Sequence, residues 1–100
     1  MSGPIYFFPA SWNLNLRETD MLSCLTANEI ASTEALEAIL ARHRPAHRVT
    51  GKGRVLKVQV CYLRAKLKAH SIIIESVRGV GYRLSPAARE MAREFLGEAV

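Results

Sequence analysis

Between Ala38 and Ile74 the chain has no aspartate or glutamate, although that stretch holds nine of its 14 lysines and arginines. Other absences narrow the reading further. Cysteine occurs only at Cys24 and Cys61, too few and too scattered for the disulfide framework of a secreted mini-domain. The longest apolar runs, such as "SIII", fall far short of the ~20 residues a membrane helix needs. The start, "MSGPIYFFPASW", lacks the basic region that opens a signal peptide. A cytoplasmic protein with no membrane partner is therefore expected. Paired carboxylates, or a nucleophile beside a base, do not occur at plausible spacing, so no enzymatic activity is expected. A zinc quartet can be drawn from Cys24, His43, His47 and Cys61, but Pro45 interrupts the histidine pair and there is no CxxC knuckle. "TGKG" lacks the full GxxxxGK[ST] spacing of a phosphate loop. Neither metal nor cofactor is expected.

What is present is a globular composition, 49% apolar and 23% charged over 100 residues, which suits one domain spanning 1–100 around one core. The net charge of +5 is unevenly spread. Met1 to Glu37 carries five acids against Arg17 alone, and Glu75 to Val100 carries four acids and four arginines. The positive charge is thus concentrated in the middle of the chain, where it makes one surface suited to a polyanion.

Residues 1–15 have room for two short strands at most, from "IYFF" and the alternating "WNLNL". A three-helix region follows over 16–68. "LRETDMLSCL" reads as the first helix, near Leu16 to Leu25. "STEALEAILAR" reads as the second, near Thr33 to Arg42, with Ser32 or Thr33 as its N-cap. The third runs from about Arg54 to Lys68. At 100° per residue Leu56, Val60, Leu63 and Leu67 form one apolar stripe that must face a core. Opposite lie Arg54, Val58, Cys61, Tyr62 and Ala65, edged by Lys57, Arg64 and Lys68. A solvated face would carry mixed charges with glutamates at i,i+4, whereas cations flanking small and aromatic groups suit a DNA groove. "SIIIESV" and "GYRLS", joined through Arg78 and Gly79, form a hairpin over 71–84. "SPAAREMAREFLGEAV" closes the chain as a helix over 85–97, with Ser85 at N-cap and Pro86 at N1. Its apolar face, Ala88, Met91, Ala92, Phe95 and Ala99, either packs on the domain or pairs two copies as a homodimer.

These residues resemble a known family. "RVLKVQVCYLRAKLKAHSIIIESVRGVGYRLS" is similar to the recognition helix and wing of OmpR/PhoB-type winged-helix domains, whose pattern runs through LRxKL to a TVRGVGYRL hairpin. "STEALEAIL" is similar to the preceding family helix. Both "LRETDML" and "LTANEI" can stand where the family has LTxxE; the first is preferred, because the second would absorb the next helix. The resemblance implies an α+β winged helix-turn-helix fold with a three-helix core and a C-terminal hairpin wing, to which the sequence itself adds short N-terminal strands and an extra C-terminal helix. It implies a sequence-specific regulator of transcription that binds double-stranded DNA, with the third helix in the major groove and Arg78 in the minor groove. Base-facing family positions match Arg54, Val58, Cys61 and Tyr62, and phosphate contacts match Arg64 and Ser76.

Three departures from the family bear on function. A chain of 100 residues has no room for the receiver domain that usually precedes this one, so control by phosphorylation in cis is not expected. The four-stranded sheet ahead of the first family helix must here be shortened or rearranged. Cys61 and Tyr62 stand where the family often has two arginines, which implies a different preferred sequence. The loop that touches RNA polymerase in some relatives is here basic, so activation through the polymerase and repression by occlusion both stay open. The reading from another class is a winged helix retained as a protein-interaction module for an acidic partner.

Overall fold

The computed structural model describes residues 5–6, 8–42 and 52–97, with side chains for 8–42 and 55–95. Its first long helix, α1 (Leu16–Ala27), begins where Asn15 and Glu18 cap each other. Asn15 Oδ1 accepts from the Glu18 amide at 2.8 Å, and Glu18 Oε1 accepts from the Asn15 amide at 3.0 Å. This reciprocal box satisfies two of the amides a helix start leaves unpaired. Met21, Leu22 and Leu25 then face the core. The strand β2 (Ala31–Ser32) leads directly into α2 (Thr33–Arg42), and Ser32 Oγ caps that helix by accepting from the Ala35 amide at 3.1 Å.

In α3 (Lys52–Lys68) the expected stripe is the buried one: Leu56, Val60, Leu63 and Leu67 join Leu36, Ile39 and Leu40 of α2 and the apolar residues of α1 in one core. The helix ends in a Schellman turn. The Ile72 amide donates to Leu67 O at 3.2 Å and the Ser71 amide to Lys68 O at 3.1 Å, with Ser71 in the left-handed region at φ 63°.

The hairpin that follows is β3 (Ile74–Val77) and β4 (Gly81–Leu84), and β2 adds a third antiparallel strand in the order β2-β4-β3. Its tip is a tight turn in which the Val80 amide donates to Val77 O at 2.9 Å. Gly79, at φ 76°, takes the position that needs a positive φ. Gly81 serves a different need. It lies against β2, where a methyl group would overlap the Ala31 carbonyl oxygen and come within 2.9 Å of the Ser32 backbone. Val80 O at the tip accepts from both the amide and the hydroxyl of Thr33, at 2.9 and 3.3 Å, so the hairpin is tied to the first residue of α2.

Two expectations need correction. The C-terminal helix, α4, runs only over Pro86–Arg93, short of 97. It starts as expected, with Ser85 Oγ accepting from the Ala88 amide at 3.3 Å. It ends when the Glu94 and Phe95 amides donate to Met91 and Ala92 carbonyls three residues back, which tightens the last turn and brings Phe95 to Trp12. Leu96–Gly97 then forms a strand, β5, paired antiparallel with β1 (Ile5–Tyr6). Of the expected apolar face Ala88 and Ala92 are buried, while Met91 is 38% exposed and Ala99 lies outside the described residues. The second correction concerns "WNLNL", which is not a strand. Ala10–Trp12 forms a 3-10 turn closed by Asn13 at φ 59°, and Asn15 is already the cap of α1. Trp12 stacks on Phe8 and His70, with ring centroids 5.6 and 5.1 Å away, and meets Phe95 edge-on at 5.2 Å.

Candidate functional site

The outward face of α3 is set by the inward one. Because Leu56, Val60, Leu63 and Leu67 are held in the core, Lys57, Val58, Cys61, Tyr62, Arg64, Ala65 and Lys68 are exposed. Tyr62 is 57% exposed and Val58 39%, at the centre of that face. The α3 backbone includes Arg54, whose side chain is outside the described residues.

Arg64 joins this helix to the hairpin. Its Nε donates to Ile74 O at 3.1 Å, its Nη2 donates to Ser76 Oγ at 3.1 Å, and the guanidinium carbon lies 5.9 Å from the centre of the Tyr82 ring. Arg64 and Ser76, the two positions matched to phosphate contacts by the resemblance, are therefore direct partners. Arg78 stands exposed at the hairpin tip. Lys68 flanks a groove of about 450 Å³ that Arg64, Ser71, Ile72, Ile73 and Ile74 also line.

Lys66, on the same helix, faces the other way and was not singled out from the sequence. Its Nζ donates to the Glu18 carboxylate at 2.6 Å and to Asn13 O at 2.9 Å, so this cation neutralises a carboxylate that is only 3% exposed. Its spacing in α3, two residues beyond Arg64, is the one available signal. The surface charge of the face is thus smaller than a count of lysines and arginines suggests. Glu75, in β3, is paired with Arg83 at 2.8 Å.

Of the zinc quartet, His43 and His47 lie outside the described residues, and among the described residues no three metal-binding side chains come together. Cys24 is half-buried in α1, and burial pushes its thiol up from the ordinary value. Among the described residues no helix is long and apolar enough to cross a membrane.

No curated protein and no solved structure matches the chain. The family model described as "Transcriptional regulatory protein, C terminal" matches residues 10–84, from the 3-10 turn to the last residue of β4. With four α-helices and a three-stranded sheet among the described residues, and a hairpin following the exposed cationic helix, the chain belongs to this family of OmpR/PhoB-type winged-helix DNA-binding regulators of transcription.

Proposed function

We propose that the protein reads double-stranded DNA by sequence, with α3 in the major groove and the hairpin tip in the adjacent minor groove. The observation that carries this reading is the outward face of α3, where Val58, Cys61, Tyr62 and Ala65 lie exposed beside an edge formed by Lys57, Arg64 and Lys68, with no acid among them. A major groove about 12 Å wide admits one helix, and its base edges present methyl groups, donors and acceptors. Val58 and Ala65 suit thymine methyls, the Tyr62 hydroxyl can donate or accept, and Arg54 suits guanine. Lys57, Arg64 and Lys68, with the Ser76 hydroxyl, suit phosphates, which set position and not sequence. Arg78 suits a narrow A·T-rich minor groove, where negative potential is concentrated. Contact with RNA polymerase, a homodimer and location at the nucleoid belong to the same proposal. The basic loop before α3 that corresponds to the polymerase-touching loop of some relatives, expected over 43–53, lies outside the described residues up to residue 51, and Lys52 and Gly53 already belong to α3.

The test is selection from a random DNA pool, followed by binding to the recovered site and to random DNA over a range of salt. Affinity should fall with a log-log slope of roughly −0.9 per phosphate neutralised. Tyr62→Ala should cost about 1–3 kcal/mol on the recovered site and little on random DNA. Binding that is undetectable at low salt, or that does not respond to salt, would transfer the reading to a protein-interaction module.

A further inference from the structure

We infer that Arg64 is a positioning residue that locks the hairpin to α3 and so fixes the spacing at which the two elements meet DNA; the spacing role rests on the DNA-binding reading above. The hairpin has two edges, and they are held by different parts of the chain. On the β4 side, β2 and the two Thr33 hydrogen bonds attach it to the start of α2. On the β3 side there is no neighbouring strand among the described residues, and Arg64 occupies that edge. Its three contacts fall on Ile74, Ser76 and Tyr82, and Ser76 and Tyr82 are cross-strand partners, so one side chain from α3 spans both strands.

An arginine is needed for this. Its planar fork donates in two directions while one face lies over a ring, whereas a lysine ammonium is a single point on a flexible stem. Two of the five guanidinium N–H groups are used, and three remain for a phosphate. The side chain is exposed, so a phosphate can reach it without breaking the lock. Holding it in place beforehand removes the ordering cost that a free arginine would incur on binding.

The lock also fixes Arg78, two residues beyond Ser76, relative to Val58, Cys61 and Tyr62. Successive base pairs are about 3.4 Å apart. Hydrogen bonds at 3.1 Å have no slack of that size before they are lost. A DNA site whose A·T-rich flank is moved by one base pair should therefore be rejected by the locked protein and accepted by an unlocked one.

The variants Arg64→Lys, which keeps the charge and loses the fork, and Ser76→Ala, which removes one acceptor and no charge, test this with two measurements. In the free protein, hydrogen exchange of the Glu75 and Val77 amides, which face β4, should become about tenfold faster in Arg64→Lys, while amides of α1 are unchanged. Unchanged exchange at the hairpin would overturn the lock. On DNA, the recovered site is compared with a version whose A·T flank is displaced by one base pair. Wild type should prefer the original about tenfold, and both variants should prefer it less than about threefold, with an unaltered salt slope. Retention of the wild-type preference in both variants, with affinity lowered equally on the two sites, would reduce Arg64 to a phosphate contact and overturn the spacing role. Faster exchange in the variants of a protein that binds no duplex would uphold the lock and overturn its use on DNA.

Discussion

Replacing Lys66 by methionine should destabilise the protein far more than loss of a surface charge would. The Glu18 carboxylate is 3% exposed, and besides the Asn15 amide its partner is the Lys66 ammonium at 2.6 Å. Removing one member of a buried pair costs about 3–5 kcal/mol, because the other charge stays behind unpaired. Lys66 keeps a third of its side chain in contact with solvent, so water can partly replace it. The lower end, about 3 kcal/mol, is therefore expected. Against a total stability of about 5–15 kcal/mol this is a large fraction. With a urea slope of about 1.5 kcal/mol per molar, the unfolding midpoint should fall by about 2 M. The assay is urea unfolding followed by far-ultraviolet circular dichroism. Glu18→Gln keeps a side chain that can still complete the capping box and removes the charge, so Lys66→Met combined with Glu18→Gln should recover most of the loss. A loss below about 0.5 kcal/mol in Lys66→Met, the range of an ordinary surface substitution, or no recovery in the double variant, would refute the reasoning.

The two hairpin glycines should respond differently to alanine: Gly79→Ala meets no atom within 4 Å and should cost about 1 kcal/mol for its positive φ, while Gly81→Ala should expel β2 and cost several times more by thermal unfolding. Ser71→Gly should stabilise the protein by about 1 kcal/mol, since glycine takes the left-handed position of the Schellman turn without steric cost; a lowered melting temperature would contradict that account. Under a thiol reagent at pH 8 the exposed Cys61 should react before Cys24. Because burial raises the Cys24 pKa, its thiolate fraction and its rate should climb only at higher pH than for an ordinary thiol, and equal rates would count against the burial.

The legible parts of the fold were those whose partners all lie on one side. Leu56, Val60, Leu63 and Leu67 contact a single core, so a helical period is enough to find them, and the residues opposite are exposed by consequence. The hairpin announced itself through β-branched residues and Gly79 at a tight turn. What stayed illegible depends on distant partners. Ala31–Ser32 is a strand only because Gly81 and Tyr82 lie beside it, and two residues carry no period. "EFLGE" continues a helical pattern, yet ring contact of Phe95 with Trp12 and the pairing of Leu96 with Tyr6 override local propensity. Within the candidate site, the outward positions followed from the wheel, whereas the hydrogen bond from Arg64 to Ser76 links residues twelve apart on different elements and leaves no trace in either segment.

The pairing of Ile5–Tyr6 with Leu96–Gly97 has a kinetic meaning. Closing a loop of nearly the whole chain ahead of other structure would cost roughly 4 kcal/mol of entropy, and two residues per strand return little for it. Once the helices have condensed, the ends are delivered side by side and that cost is gone. The clasp should therefore be absent from the rate-limiting barrier, close last and open first. Weakening it, for instance at Phe8 or Phe95, should speed unfolding and leave the folding rate almost unchanged, which makes these terminal residues a lever on the lifetime of the native state.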